Sequence, residues 1–150
     1  MTETIPNEPI DVLLVEDNPG DARLTKEAFK ATDSEIRFHV ATDGVEAMKT
    51  IHTRQCNGSC TRPDIIFLDL NLPGLDGFDV LETLRTELEY PPPPIIVLSS
   101  SKTSEDVTRS YELDANAYVT KPESPDEFNT VAQAIEDFWI DAVRHPPVPS

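Results

Sequence analysis

Three carboxylates, a serine hydroxyl and a lysine stand just after apolar runs of the chain. Glu16-Asp17 follow Val12-Leu13-Leu14-Val15, Asp69 follows Ile65-Ile66-Phe67-Leu68, Ser99-Ser100 follow Ile95-Ile96-Val97-Leu98, and Thr120-Lys121-Pro122 follow Tyr118-Val119. Carboxylates held together repel one another unless a cation lies between them, and hard oxygen donors that leave room for water suit Mg²⁺. With its charge partly neutralised, an Asp69 oxygen can attack a phosphoryl group in line while the Lys121 ammonium stabilises the transferring oxygens. The Ser99 hydroxyl can then hydrogen-bond the attached group. Any one of these residues alone is an ordinary surface group in a chain with 28 acids. Their shared position at the ends of apolar runs makes them a candidate site.

That site exists only if the runs are strands whose ends meet. They are short, rich in β-branched residues and separated by segments with helical spacing, the alternation of an α/β protein with a parallel sheet covered by helices. In such a sheet ligands bind beyond the carboxyl ends of the strands. Strands are predicted over Ile10 to Val15, Ile36 to Val40, Asp64 to Leu68, Ile95 to Leu98 and Asn116 to Val119. A first helix runs from Pro19 to near Thr32. A second has Asp43 as N-cap, Glu46 as capping-box partner and Val45, Met48 and Ile51 facing inward, and it ends near Arg54. Phe78, Leu81, Leu84 and Leu88 mark a third helix, and Val107 and Tyr111 anchor a fourth over Ser104 to Leu113. The last, from about Ser124 to Val143, aligns Phe128, Val131, Ala132, Ile135, Phe138, Trp139 and Ala142 on one side. Asn71 to Gly77, with two glycines and a proline, is expected to be a loop, and Pro91 to Pro94 a stiff lead into the fourth strand.

The chain of 150 residues has the length of one domain, read as a flexible segment 1–8, a folded domain 9–144 and a Pro-rich tail 145–150, with no output domain. Its 12 Lys+Arg against 28 Asp+Glu leave a net charge of −16, which repels a nucleic-acid backbone and excludes direct nucleic-acid binding as a function. No apolar run approaches the roughly 20 residues needed to span a bilayer, and no basic segment followed by an apolar one opens the chain. No membrane association and a cytoplasmic location are expected. Cys56 and Cys60, with His52 nearby, fall short of the about four ligands of a zinc site and read as reduced thiols in a polar loop.

In order along the chain, Val15-Glu16-Asp17-Asn18, Leu68-Asp69-Leu70-Asn71-Leu72-Pro73-Gly74-Leu75-Asp76-Gly77, Leu98-Ser99-Ser100 and Tyr118-Val119-Thr120-Lys121-Pro122 resemble the receiver domain of two-component response regulators. The resemblance covers about Ile10 to Val143. It implies a flavodoxin-like, doubly wound sheet of five parallel strands in the order 2-1-3-4-5. It also implies that Asp69 accepts phosphate from a phosphohistidine of a sensor histidine kinase, with Glu16, Asp17, Asp69 and the backbone carbonyl of Asn71 around Mg²⁺. Lys121 would contact the phosphate, the Ser99 hydroxyl would move toward it, and the Tyr118 ring would turn inward behind it. Ser99 departs from the threonine most common there in the family, keeping the hydroxyl and losing a methyl. Ser100 is expected to influence access of water to the phosphoryl group.

A narrower resemblance lies in Val15-Glu16-Asp17-Asn18-Pro19-Gly20-Asp21-Ala22-Arg23-Leu24, in the extended loop before Arg62-Pro63-Asp64, and in Ala134-Ile135-Glu136-Asp137-Phe138-Trp139. These are similar to the single-domain regulators that accompany phytochrome-type photoreceptor kinases. The likeness implies a homodimer through the fourth helix, fifth strand and last helix, with Phe138 and Trp139 in the contact; with no output domain expected, the message leaves through protein contact or onward phosphotransfer. A haloacid-dehalogenase-like phosphohydrolase would carry a second acid where Asn71 supplies an amide, which cannot transfer the needed proton. Dinucleotide binding lacks its Gly-x-Gly-x-x-Gly. A module of the same fold that signals without phosphate leaves the acidic set without a use. Five lysines among 12 basic residues, and acids on every helix, are similar to proteins of salt-accumulating archaea.

Overall fold

Strands that lie in the middle of a parallel sheet are covered on both faces and so read as nearly continuous apolar runs. Three segments fit this: β1 (Ile10–Val15), β3 (Ile65–Asp69) and β6 (Ile95–Ser99) are buried along their whole length, with Asp11, Asp69 and Ser99 as their polar residues. The structure is a computed structural model and describes residues 10–30, 35–56, 63–72, 75–87, 93–100 and 103–137. The less apolar β2 (Ile36–Ala41) and β7 (Ala117–Thr120) take the two edges. The sheet order is β2-β1-β3-β6-β7, and all its pairings are parallel. Counted without the two short strands described below, this is the expected 2-1-3-4-5.

Helices cover both faces. On one, α1 (Pro19–Lys30) and α5 (Pro125–Ile135) pack Ala22, Ala28, Phe29, Phe128, Ala132 and Ile135 against Val12, Leu14, Phe67 and Ile96. On the other, α2 (Gly44–Cys56) and α3 (Gly77–Glu87) bury Ala47, Ile51, Leu81 and Leu84 against Leu13, Val15, Leu68 and Val97. The remaining helix, α4 (Ser104–Glu112), lies beside α3, with the Arg109 guanidinium 4.3 Å above the Phe78 ring. Hydroxyl caps start the last two helices: Thr103 Oγ1 accepts from the Asp106 N–H and Ser124 Oγ from the Glu127 N–H, both at 3.2 Å. Among the described residues, no helix is long and apolar enough to cross a membrane.

Several expectations are corrected. Val45 does not face inward but is 58% exposed, because the buried side of α2 is centred on Gly44, Ala47, Met48 and Ile51, and Val45 lies about 100° round the helix from Gly44. The Asp43 cap is present, its Oδ1 accepting the Glu46 N–H at 2.7 Å, while the reciprocal bond goes one residue earlier, from the Thr42 N–H to Glu46 Oε1. Tyr111 is no core anchor of α4: it is 49% exposed, and Ser110 is the residue of that helix that is buried. The Tyr111 hydroxyl instead accepts the backbone N–H of Tyr118 on edge strand β7 at 3.2 Å.

The segment expected to be a loop after β3 forms a two-stranded antiparallel ladder, β4 (Asn71–Leu72) with β5 (Leu75–Asp76), pairing Asn71 with Asp76 and Leu72 with Leu75. Gly77 closes it by approaching Leu70 so nearly that a Cβ would collide with the Leu70 Cα and carbonyl, and its N–H donates to that carbonyl at 3.2 Å. Leu88, Phe138, Trp139, Ala142, Cys60 and the side chain of Cys56 lie outside the described residues, as do the segments 1–8 and 145–150.

Candidate functional site

The register brings the strand ends to one edge: Val15 is level with Leu68, Asp69 with Leu98, and Ser99 with Thr120. Glu16, Asp69 and Lys121 therefore meet although the sequence separates them widely. Glu16 and Asp69 are 2% and 4% exposed, whereas Asp17 faces solvent. One carboxylate oxygen from each of Glu16, Asp17 and Asp69 lies within 4.8 Å of the others. Three hard donors so close, two of them buried, fit a hard divalent cation such as Mg²⁺.

Lys121 enters from the far edge of the sheet. Its backbone N–H donates to the Ser99 carbonyl at 2.8 Å, which fixes the root of the side chain beside β6. Its Nζ lies 2.7 Å from Glu16 Oε1, 3.0 Å from Asp69 Oδ2 and 2.9 Å from Asp21 Oδ2. The other Asp69 oxygen, Oδ1, accepts the Asn71 N–H at 3.0 Å, so both oxygens of the carboxylate are held. Asn71 Nδ2 in turn reaches Ser100 Oγ at 3.5 Å.

The charges in this pocket are unevenly compensated. Burial, together with hydrogen bonding to Asp69, pushes the Glu16 carboxyl up to about 7 despite the nearby ammonium. Burial alone would lower the Lys121 pKa, but hydrogen bonds to Glu16 and Asp21 and the charge of Asp69 raise it well above the ordinary lysine range. The lysine stays charged, and one ammonium cannot balance the acids around it. Positive charge is what the pocket lacks.

Of the residues singled out from sequence, Glu16, Asp17, Asp69 and Lys121 converge directly. Ser99 is buried at the end of β6, and Tyr118 is half-buried on β7, packed against the core on the α2–α3 face. Asn71 is exposed and tied to Asp69 through its N–H. Asp21 was missed. Asn18 Oδ1 caps α1, accepting from the Gly20 and Asp21 N–H groups at 2.8 and 3.1 Å, and so sets Asp21 in the first turn facing the strand ends. An acid in a first helical turn ordinarily reads as a partner of the helix dipole. The only further signal in the sequence is its closeness to Glu16-Asp17.

The family model of the response regulator receiver domain matches residues 12–133. The chain is 36% identical over 140 residues to the response regulator Rcp1 of Synechocystis sp., covering 93% of this chain and 95% of that one. Among solved structures it is similar to the Mn²⁺-bound form of Rcp1, with a TM-score of 0.77 at 34% identity, covering 95% of this chain and all of that one (100%). It is also similar to the phosphorylated cyanobacterial phytochrome response regulator RcpA, with a TM-score of 0.81 at 34% identity over the same shares.

Proposed function

Because the chain belongs to the response regulator receiver family, the phosphoacceptor of two-component signalling that serves a histidine kinase, we propose that Asp69 is its acceptor carboxylate. The single observation that carries this assignment is the Lys121 ammonium held between Glu16 and Asp69 at the carboxyl ends of the strands. In the transfer a P–O bond to Asp69 forms as the P–N bond to the donor imidazole breaks, and the electron pair stays on the departing nitrogen. The Asn71 N–H and Lys121 fix the attacking carboxylate, and Lys121 stabilises the transferring oxygens.

Glu16, Asp17, Asp69 and the backbone carbonyl of Asn71 are the proposed holders of Mg²⁺, which when bound neutralises charge on the reacting oxygens. The Mn²⁺-bound form of Rcp1 supports a divalent ion at this place. Ser99, rooted beside Lys121, is the hydroxyl that would bond the attached phosphoryl group, and Tyr118 the ring that would follow it. Hydrolysis of the acyl phosphate at the same site, with Ser100 at its margin, would end the signal. The likeness to RcpA, a phytochrome response regulator, supports a phytochrome-type kinase as donor; a homodimer through α4, β7 and α5 is the proposed signalling form.

Incubation of the full chain with Mg²⁺ and acetyl phosphate or phosphoramidate should add the mass of one phosphoryl group, and Asp69→Asn should abolish the gain. No adduct on the wild type with Mg²⁺ present, at any salt concentration, would remove the assignment.

A further inference from the structure

An ammonium has three N–H donors, and at Lys121 three carboxylates take them: Glu16, Asp21 and Asp69. Glu16 and Asp69 also belong to the proposed cation and phosphoacceptor set, whereas Asp21 lies outside it. A bound divalent cation would draw on oxygens of Glu16 and Asp69, and a phosphoryl group would cover an oxygen of Asp69. Asp21 is then the one acceptor of Lys121 that neither event touches.

Its placement is fixed by a closed ring of hydrogen bonds. Glu16 Oε2 accepts the Asn18 N–H at 3.2 Å, Asn18 Oδ1 accepts the Asp21 N–H at 3.1 Å, and Asp21 Oδ2 accepts from Lys121 Nζ, which returns to Glu16 Oε1. One residue of the ring comes from the end of a strand, two from the start of α1 and one from beyond β7. A lysine side chain has four rotatable bonds and loses much freedom when held in one place. A charge-assisted bond to a preset carboxylate offsets that loss before the phosphoryl group arrives.

Resting on the reading of Asp69 as phosphoacceptor, we propose that Asp21 is a positioning residue that keeps Lys121 aimed into the site while cation and phosphoryl group claim its other two partners. Asp21 lies outside the acidic group that would hold the cation and acts through Lys121, so its effect has to appear in phosphoryl recognition and not in metal binding.

The test uses the full chain saturated with Mg²⁺, with beryllofluoride as phosphoryl mimic and acetyl phosphate as donor. Asp21→Asn should weaken beryllofluoride binding by about tenfold and slow acetyl phosphate turnover of the site to a similar degree. The Mg²⁺ dissociation constant should stay within about threefold, since a partly exposed charge outside the cation's shell acts weakly. Asp21→Glu, which restores the carboxylate, should recover most of the loss. Equal or tighter beryllofluoride binding in Asp21→Asn overturns the proposal. So does a joint fall of melting temperature, Mg²⁺ affinity and beryllofluoride affinity in both variants, which marks a purely structural role. A wild type that is phosphorylated beside an indistinguishable Asp21→Asn removes only this inference. A wild type that never gains a phosphoryl group removes the Asp69 assignment and this inference with it.

Discussion

Glu16 is pulled in two directions. Lys121 at 2.7 Å favours its carboxylate, while burial and Asp69 favour the neutral acid and prevail, so its pKa rises from 4.5 to about 7. An acid with a raised folded-state pKa contributes stability that is complete below its unfolded value and is lost as pH climbs through its folded value. The window here runs from about 4.5 to 7. Without divalent cations, the wild type should therefore lose melting temperature relative to Glu16→Gln between pH 5 and pH 8. The loss is at most about 3 kcal/mol, or up to roughly 10 °C of melting temperature. Mg²⁺ should restore much of it in the wild type and little in the variant. A parallel pair of pH profiles would show that Glu16 is not strained. The short Lys121 contact alone would suggest an ordinary salt bridge, but a buried pair contributes little once desolvation is counted.

Gly77 marks the point at which an element, and not a residue, holds the site. It stands at the start of α3 and closes the β4–β5 ladder that begins two residues after Asp69. By helix propensity alone, Gly77→Ala should stabilise by up to about 1 kcal/mol. The added Cβ would meet the Leu70 backbone, which cannot rotate away as a side chain can, and overpacking of that kind costs about 1–3 kcal/mol. The clash should win. The variant should melt lower and take phosphate from acetyl phosphate more slowly, because any retreat of Leu70 drags Asp69 and the Asn71 N–H with it. Unchanged melting and unchanged labelling would mean that the ladder yields freely.

At the level of the molecule, how much was legible follows from what each element must bury. The central strands were plain because a strand covered on both faces reads as an almost unbroken apolar run, and Glu16, Asp17, Asp69 and Ser99 followed from their carboxyl ends, whereas Lys121 follows the edge strand β7. Helix phase was less plain. In α2 a small Ala47 faces the core while the larger Val45 faces water, an ordering that side-chain size alone reverses. Tyr111 looked apolar by spacing, but its use is its hydroxyl. Asp21 escaped because its meaning lies in an ion pair with Lys121, one hundred positions further along the chain. The net charge of −16 is also a property of the whole: few of the acids serve the site, and among the described residues all but Asp11, Glu16 and Asp69 lie outside the buried interior. Screening shortens the reach of their repulsion from about 8 Å at physiological salt to about 3 Å at 1 M. The melting temperature should thus rise by several degrees from low salt to molar KCl, and a flat response would show that the acids do not oppose folding.

The Tyr111–Tyr118 bond has one more consequence. As the last strand, β7 offers backbone donors to any passing strand, the usual route to unwanted sheet growth between copies of a protein. The Tyr111 hydroxyl sits on one of those donors, in the middle of a four-residue strand. The proposed self-association through α4, β7 and α5 would find this donor already taken, which favours side-chain packing over continuation of the sheet from one copy into the next.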